Sequence, residues 1–298
     1  MSYKSQHTLR DGDLLNRRGH LTEAGFSTQL CKRYDRRAIR AGAMRIKEWD
    51  YYCIMDETAA LALTIADNGY MGLDSVSLID LPMGWQQTQS FMRVFPMGKT
   101  GLPATSETGD VAVERPGYRL RFENRDGVRR LIANIDHFSQ GRALAADVTL
   151  TNPPEDTMVI ATPFANKPRH FYYNQKINCL RADGFVTLGN ETHVFEGGKA
   201  AAVLDWGRGV WTYRNTWYWS SLNGYIDGVP FGFNLGYGFG DTSAASENML
   251  FYNGRATKLE TVTFAIPRTA DGRDDYLSQW AFNDDNGRLA LTFTPALD

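Results

Sequence analysis

Residues 118–135 read Tyr-Arg-Leu-Arg-Phe-Glu-Asn-Arg-Asp-Gly-Val-Arg-Arg-Leu-Ile-Ala-Asn-Ile, and this stretch decides the fold class. Tyr118, Leu120 and Phe122 alternate with arginines, which is the period of two of a strand with one buried face. Asp126-Gly127 then supplies a two-residue turn into the next strand. The stretch therefore predicts an antiparallel hairpin with one wet face.

The same signature recurs along the chain, because further turn-forming pairs separate strand-like segments. These turns are Asn68-Gly69, Gly189-Asn190, Asn253-Gly254 and the segment 284–287. Many short strands at regular spacing, joined by Gly or Asn turns, indicate antiparallel sheets closed into barrels or packed as a sandwich. We therefore predict an all-β protein with a short helical lead-in, its helix over Glu23–Tyr34.

The organisation follows from where the strand pattern begins and where it is interrupted. Residues 1–43 are rich in charges and poor in strand formers, and they are predicted to be an N-terminal lead-in. Pro153 and Pro154 break the pattern. We predict a first β unit over residues 44–154 and a second over residues 155–298, the second carrying the candidate site.

Composition narrows the function classes. The 298 residues carry a formal net charge of -2 with the basic residues dispersed, so no nucleic-acid surface is expected. The cysteines at positions 31, 53 and 179 form no Cys-x-x-Cys pair, and free thiols in a reducing compartment are expected. No apolar signal core or membrane span is recognised. A soluble, cytoplasmic protein is predicted, with no metal and no cofactor, and the oligomeric state stays open.

An aromatic and basic stretch, Asp205-Trp-Gly-Arg-Gly-Val-Trp-Thr-Tyr-Arg-Asn-Thr-Trp-Tyr-Trp219, is the first part of the candidate site. It holds four of the seven tryptophans of the chain. Aromatic rings interleaved with arginine can stack on a ligand while the guanidinium groups hold an oxygen atom. The alternative is an aromatic core layer from which the arginines extend outward. Candidate ligand-binding residues are Arg208, Trp211, Arg214, Trp217 and Trp219.

The second part of the candidate site runs from Phe233 to Asn248. Asn234 and three glycines alternate with Phe233, Leu235, Tyr237 and Phe239, so the glycines lie on one strand face and leave room for a ligand or a tryptophan. Carboxyl groups follow at the end of this strand, and two carboxyls with separated pKa values can serve as proton donor and acceptor. Solvated carboxylates on a loop are the alternative. The candidate catalytic residues are Asp205, Asp241 and Glu247, and the added ligand-binding candidates are Asn234, Asn248 and Lys176.

These same motifs carry a family resemblance. Residues 205–219, residues 232–241 with Glu247-Asn248, and the lead-in Leu15–Gly25 resemble a bacterial family designated domain of unknown function 2804. More distantly, the chain is similar to lipocalin-like (calycin) proteins that include carotenoid hydratases and tocopherol cyclase. The resemblance implies two lipocalin-like β units around a ligand cavity, with acidic side chains that act on non-polar substrates.

Three functions are compatible with these residues. The first is a metal-independent acid–base enzyme of hydrolase or lyase type, a glycoside hydrolase or a hydratase, acting on a small-molecule or carbohydrate ligand in an aromatic-lined β cavity. The second is a non-catalytic lipocalin-like carrier of a hydrophobic small molecule. The third is an assembly protein whose tryptophans pack a subunit interface. Buried carboxyls would favour the enzyme, an apolar cavity the carrier, and a flat exposed aromatic patch the interface.

Overall fold

The computed structural model describes residues 6–296, which form twenty-two β-strands and two short 3-10 turns, Arg36–Ala38 and Ala43–Arg45. The strands are β1 (Gly12–Asp13), β2 (Gly25–Ser27), β3 (Lys32–Arg33), β4 (Lys47–Met55), β5 (Ala59–Asp67), β6 (Met71–Asp80), β7 (Trp85–Val94), β8 (Val111–Arg115), β9 (Tyr118–Arg125), β10 (Val128–Ser139), β11 (Arg142–Thr151), β12 (Met158–Phe164), β13 (Lys167–Leu188), β14 (Glu191–Phe195), β15 (Ala201–Val210), β16 (Tyr218–Ile226), β17 (Val229–Tyr237), β18 (Met249–Tyr252), β19 (Arg255–Lys258), β20 (Val262–Ala265), β21 (Trp280–Asp284) and β22 (Ala290–Phe293). The all-β prediction is confirmed.

The main sheet has the strand order β7-β6-β5-β4-β15-β13-β11-β10-β9-β8, with β12, β14 and β2 attached to it through β13 and β12. It curls into a half-barrel. Phe91 on β7 stacks on Tyr118 of β9 at a ring separation of 3.9 Å, and the Gln89 side chain donates to the carbonyl oxygen of Phe138 on β10. The two ends of the curled sheet therefore meet through side chains.

The hairpin that decided the fold class is present as predicted. β9 and β10 pair from Val128 opposite Arg125 to Ile135 opposite Tyr118. Asp126 and Gly127 take φ values of 52° and 75°, the left-handed conformation that a tight two-residue turn requires. Tyr118, Leu120 and Phe122 lie in the core inside the half-barrel, as the alternation predicts.

The predicted N-terminal helix is wrong, because the lead-in is extended and pairs with the main sheet. Phe26 of β2 lies opposite Ile160 of β12. Gly25 has a φ of 155°, and a Cβ atom there would lie 2.4 Å from the carbonyl oxygen of His7. Hydrogen bonds to an exposed strand edge thus override the local helical preference. Residues 6–296 contain no α-helix. This part of the chain therefore has no helix that is long and apolar enough to cross a membrane.

Three smaller sheets complete the fold of residues 6–296: the parallel pair β1-β3, and the antiparallel sheets β16-β17-β18-β19 and β20-β21-β22. β16 and β17 pack on the outer face of β13 and β15. The segment 152–156, where the boundary between two β units is predicted, falls between β11 and β12 of the main sheet, and the division into units stays a prediction. The second layer creates a space between two sheets, and the candidate residues meet there.

Candidate functional site

A cavity of about 340 Å³ lies between the outer face of the main sheet and the β16–β17 layer. Its walls are predominantly aromatic, with two carboxyl groups and one ammonium group among them. The lining residues are Trp49, Tyr51, Thr64, Ala66, Asn68, Tyr172, Lys176, Asp205, Trp211, Trp217, Trp219, Phe239 and Glu247.

Asp205 stands on the main-sheet wall and is held by three side chains. β13 and β15 place Lys176 directly opposite Asp205, and its Nζ lies 2.5 Å from Asp205 Oδ2. Asn174 Nδ2 donates to Oδ1 at 2.7 Å, and Trp49 Nε1 donates to the same oxygen at 3.1 Å. A cation and two neutral donors stabilise a carboxylate, so this wall presents a fixed negative charge balanced by an ammonium group.

Two glycines make this arrangement of side chains possible. A Cβ atom on Gly207 would lie 2.1 Å from the indole ring of Trp49, so the ring rests directly on the backbone of β15 and reaches Asp205. Across the cavity, a Cβ atom on Gly236 would lie 2.5 Å from Glu247 Oε1. The group that approaches the Gly236 backbone is thus the Glu247 side chain, whereas the sequence suggested a ligand or a tryptophan. Gly238 and Gly240 instead follow the end of β17, with φ values of 92° and 75°, and do not continue that strand face.

Glu247 stands on the opposite wall in a different environment. It is buried, and among residues 6–296 no basic side chain lies within ion-pairing distance of its carboxyl group. Its side-chain contact is a long hydrogen bond of 3.4 Å from Asn234 Nδ2. Burial raises the pKa of Glu247, and the nearby charges of Lys176 and Asp205 act in opposite directions on it. Burial therefore lets the Glu247 carboxyl keep its proton to a higher pH than an exposed glutamate would.

Trp219 and Asn234 connect the two carboxyl groups. The Lys176 ammonium lies 4.7 Å from the centre of the Trp219 ring, a cation–π contact. Trp219 Nε1 donates to Asn234 Oδ1 at 2.7 Å, and Asn234 Nδ2 donates to the backbone oxygen of Glu247 at 2.8 Å. The chain of contacts fixes both ends of the polar part of the cavity relative to each other.

Edge-to-face aromatic contacts build the remaining wall. Trp211 packs against Trp49, Tyr172 and Phe239 with ring centres 5.2, 6.1 and 5.4 Å apart. Trp217 is 54% exposed and packs on Phe239 at the rim. Burial and the nearby carboxyl groups raise the pKa of Tyr172, so its phenol stays protonated. Aromatic walls of this kind bind apolar ligands, and the faces of their rings stabilise a positive charge that develops on a bound molecule.

Several predicted site residues lie outside the cavity. Arg208 projects from the other face of β15 into the half-barrel core, where it pairs with Asp50. Arg214 is exposed in the segment between β15 and β16. Asp241 is exposed too, and its carboxylate accepts from the Ser243 backbone. Asn248 is buried but accepts from the Gly236 amide. The structure thus corrects the predicted placement of these four residues in the site. Strand alternation or the end of a strand directs each of their side chains away from the cavity.

The structure also adds residues that the sequence did not single out: Trp49, Tyr51, Asn174 and Tyr172. Trp49 and Tyr51 alternate on β4, and Tyr172 and Asn174 alternate with Lys176 on β13, so the period of two was visible. What the sequence lacked was the register that places β4 and β13 on either side of β15. Within residues 6–296, no three side chains of His, Cys, Asp or Glu form a ligand set for a metal ion.

The family model described as domain of unknown function (DUF2804) matches residues 5–298. The chain belongs to the DUF2804 family. The resemblance inferred from its motifs is therefore confirmed, and this DUF2804 chain has no match among curated proteins.

Two solved structures resemble this DUF2804 protein. A provisionally assigned AttH from Nitrosomonas europaea superposes with a TM-score of 0.57 at 15% identity, covering 91% of this chain and 87% of that one. Kievitone hydratase from Nectria haematococca gives a TM-score of 0.46 at 13% identity, covering 80% of this chain and 72% of that one. The first likeness shows a shared fold, in line with the lipocalin-like architecture.

Proposed function

We propose that this protein is an acid–base enzyme of hydratase, lyase or hydrolase type that acts on a small organic molecule held in the aromatic cavity. The observation that carries the proposal is the pair of carboxyl groups on facing walls. Glu247 is buried and forms no ion pair within residues 6–296, whereas Asp205 is held by Lys176, Asn174 and Trp49. Two carboxyl groups in contrasting environments are the usual basis for one proton donor and one carboxylate that stabilises charge.

The roles follow from the contacts. Glu247, with its raised pKa, is the proton donor to a double bond or a leaving oxygen of the substrate. The positive charge that develops on the substrate is stabilised by the Asp205 carboxylate and by the faces of the surrounding tryptophans. Water then adds to the cationic centre and gives one of its protons to the Glu247 carboxylate, or a proton on a neighbouring carbon is lost to the same carboxylate, so either branch restores the protonated Glu247. Lys176 is a positioning residue that holds Asp205.

Glu247→Gln and Asp205→Asn test the proposal. Each is expected to lower turnover at least about 100-fold, the usual contribution of a positioned proton donor for Glu247 and of a preorganised charge-stabilising group for Asp205. Wild type and variants are incubated with a bacterial metabolite extract, and mass spectrometry follows compounds that disappear or change mass by one water. Glu247→Gln is expected to fold normally, because a carboxyl whose pKa is raised by burial destabilises the native state as pH rises through that pKa, and glutamine removes this penalty.

Asp241→Asn is the matched control, since it removes an exposed carboxylate outside the cavity. It is expected to leave turnover unchanged. Wild-type turnover in both folded cavity variants would remove the carboxyl pair from the mechanism.

The second candidate function is a non-catalytic carrier, which the aromatic majority of the lining favours. A compound that co-purifies unchanged with wild type and with Glu247→Gln, together with no turnover by either, would support the carrier. A sugar among the co-purified compounds would support the glycoside-directed form of the enzyme.

A further inference from the structure

We propose that the ligand of the cavity is an amphiphile, with its polar end at Glu247 and Asp205 and its apolar chain lying on an apolar stripe that is half-buried on β6 and exposed on β7. The inference rests on the proposed use of the cavity and adds the class of molecule that it takes. It is carried by the register of three neighbouring strands, by the exposure of the side chains and by a sharp change from apolar to polar residues.

The first row of the stripe starts at the cavity. Ala66 on β5 lines the cavity, Leu73 on β6 lies directly opposite it, and Met92 on β7 lies opposite Leu73. Residues that pair directly across strands project from the same face of a sheet. The wall of the cavity therefore continues outward over Leu73 and Met92 without a change of face.

The second row runs beside the first. Asn68 lines the cavity, and its amide donates to the carbonyl oxygen of Met71 at 2.8 Å. Met71 in turn lies opposite Val94. These two rows define the apolar stripe, which consists of Leu73, Met92, Met71 and Val94.

The stripe has a clear border on the same sheet face. The next row, Thr64, Ser75 and Ser90, presents hydroxyl groups. In the row after it, the hydroxyls of Ser77 and Thr88 lie 2.7 Å apart in a hydrogen bond. The outer face of β6 and β7 is thus apolar in the rows of Ala66 and Asn68 and polar in the next two rows.

The outer half of the stripe is uncovered. Met92 is 69% exposed and Val94 is 79% exposed, on a strand at the edge of the main sheet. The second layer packs on β13 and β15 instead. From β5 to β7 the stripe spans two strand spacings, roughly 10 Å. Contiguous exposed apolar residues on an edge strand are a hazard for aggregation, so their presence beside a cavity indicates use.

A chain extending from the cavity is the occupant that fits these dimensions. The stripe is two residues wide, whereas a stable protein interface buries at least about 1,000 Å² in total. Four side chains do not supply such an area. A flexible alkyl or isoprenoid-like chain needs only a narrow apolar track, and methionine adapts its shape to such chains readily.

The test measures binding against chain length, using 1-octanol, 1-decanol and 1-dodecanol as probes and the fluorescence of the cavity tryptophans as readout. For wild type, affinity is expected to rise roughly two- to fourfold per added methylene across the series, the upper value corresponding to full burial. In the double variant Leu73→Ser with Met92→Ser, octanol is expected to bind as in wild type. The longer alcohols are expected to bind no more tightly than octanol.

Thr88→Ser is the matched control, an exposed position on the same strand and face but in a polar row, and it is expected to keep the wild-type series. An unchanged chain-length dependence in the folded double variant would overturn the proposal. So would a wild-type dimer, or binding to phosphatidylcholine vesicles, that the double variant abolishes. The alcohol series measures binding and involves no turnover, so wild-type turnover in Glu247→Gln would overturn the catalytic assignment without touching this one, and the two failures are distinguishable.

Discussion

Strand β15 carries one member of each of two buried ion pairs, and the pairs lie on opposite faces of the main sheet. On the inner face, Arg208 Nη2 lies 3.0 Å from Asp50 Oδ1, and the guanidinium also donates to the carbonyl oxygens of Trp49, Gly207 and Pro103. On the outer face, Asp205 and Lys176 line a cavity. The inner pair is bonded to protein, whereas the outer pair is placed to meet a ligand.

The largest expected effect is a difference in the free energy of unfolding between variants of the inner pair and variants of the outer pair. Arg208→Met is expected to destabilise the fold by about 3–5 kcal/mol, because it leaves Asp50 buried without its cation. Lys176→Met is expected to destabilise it by only about 1–2 kcal/mol, because Asp205 keeps the hydrogen bonds from Asn174 and Trp49 beside a cavity that admits water. Urea unfolding followed by circular dichroism measures both.

The two variants control for each other, since each replaces a buried cation by methionine. Equal losses of stability would mean that the cavity does not relieve the outer pair, and the distinction between a structural and a functional pair would fail. The two variants are expected to rank in the opposite order for turnover. Lys176→Met lowers turnover, whereas any folded fraction of Arg208→Met retains it.

How far the sequence predicted the site can be seen on β15 itself. The period of two places Asp205 and Arg208 on opposite faces, so they could not both line one cavity. The sequence does not say which face carries the cavity, because that depends on where the second layer docks. The chemistry of an arginine at position 208 fits ligand binding and a paired position in the core equally well.

The fold was easier to predict than the site for a physical reason. Turns such as Asn253-Gly254, with φ values of 50° and 77°, are encoded by adjacent residues. The contact from Trp49 to Asp205 joins residues 156 positions apart, and it depends on the register of β4 against β15. The helix prediction for the lead-in segment was wrong for the same reason, since pairing with the edge of a distant strand decides its conformation.

An intermediate effect is expected at Lys258, behind the Glu247 wall. Its ammonium donates to Ser246 Oγ and to the backbone oxygens of Asn248 and Leu259. Burial lowers the pKa of Lys258 to about 7. A lysine whose folded-state pKa is depressed binds its proton more weakly in the native state, so wild-type stability is expected to rise as pH increases from about 7 towards 10.

Lys258→Met is expected to remove that rise, which should exceed about 1 kcal/mol between pH 7 and pH 9. Urea midpoints at several pH values measure it, with Lys199→Met as control, because Lys199 is an exposed lysine that pairs with Glu196 on the surface. If stability still rises with pH in Lys258→Met, then groups other than Lys258 cause the rise.

The smallest effects are expected at two predicted site residues that the structure places outside the cavity. Asp241 is exposed, and its hydrogen bonds with Ser243 lower the pKa of its carboxyl. Arg214 is exposed in the segment that joins β15 to β16. Asp241→Asn and Arg214→Ala are each expected to change stability by less than about 0.5 kcal/mol and to leave turnover unchanged, as is usual for surface substitutions. A large loss of turnover in Arg214→Ala with normal stability would mean that residues 211–217 fold over the ligand, since Trp211 and Trp217 at the ends of that segment already line the cavity.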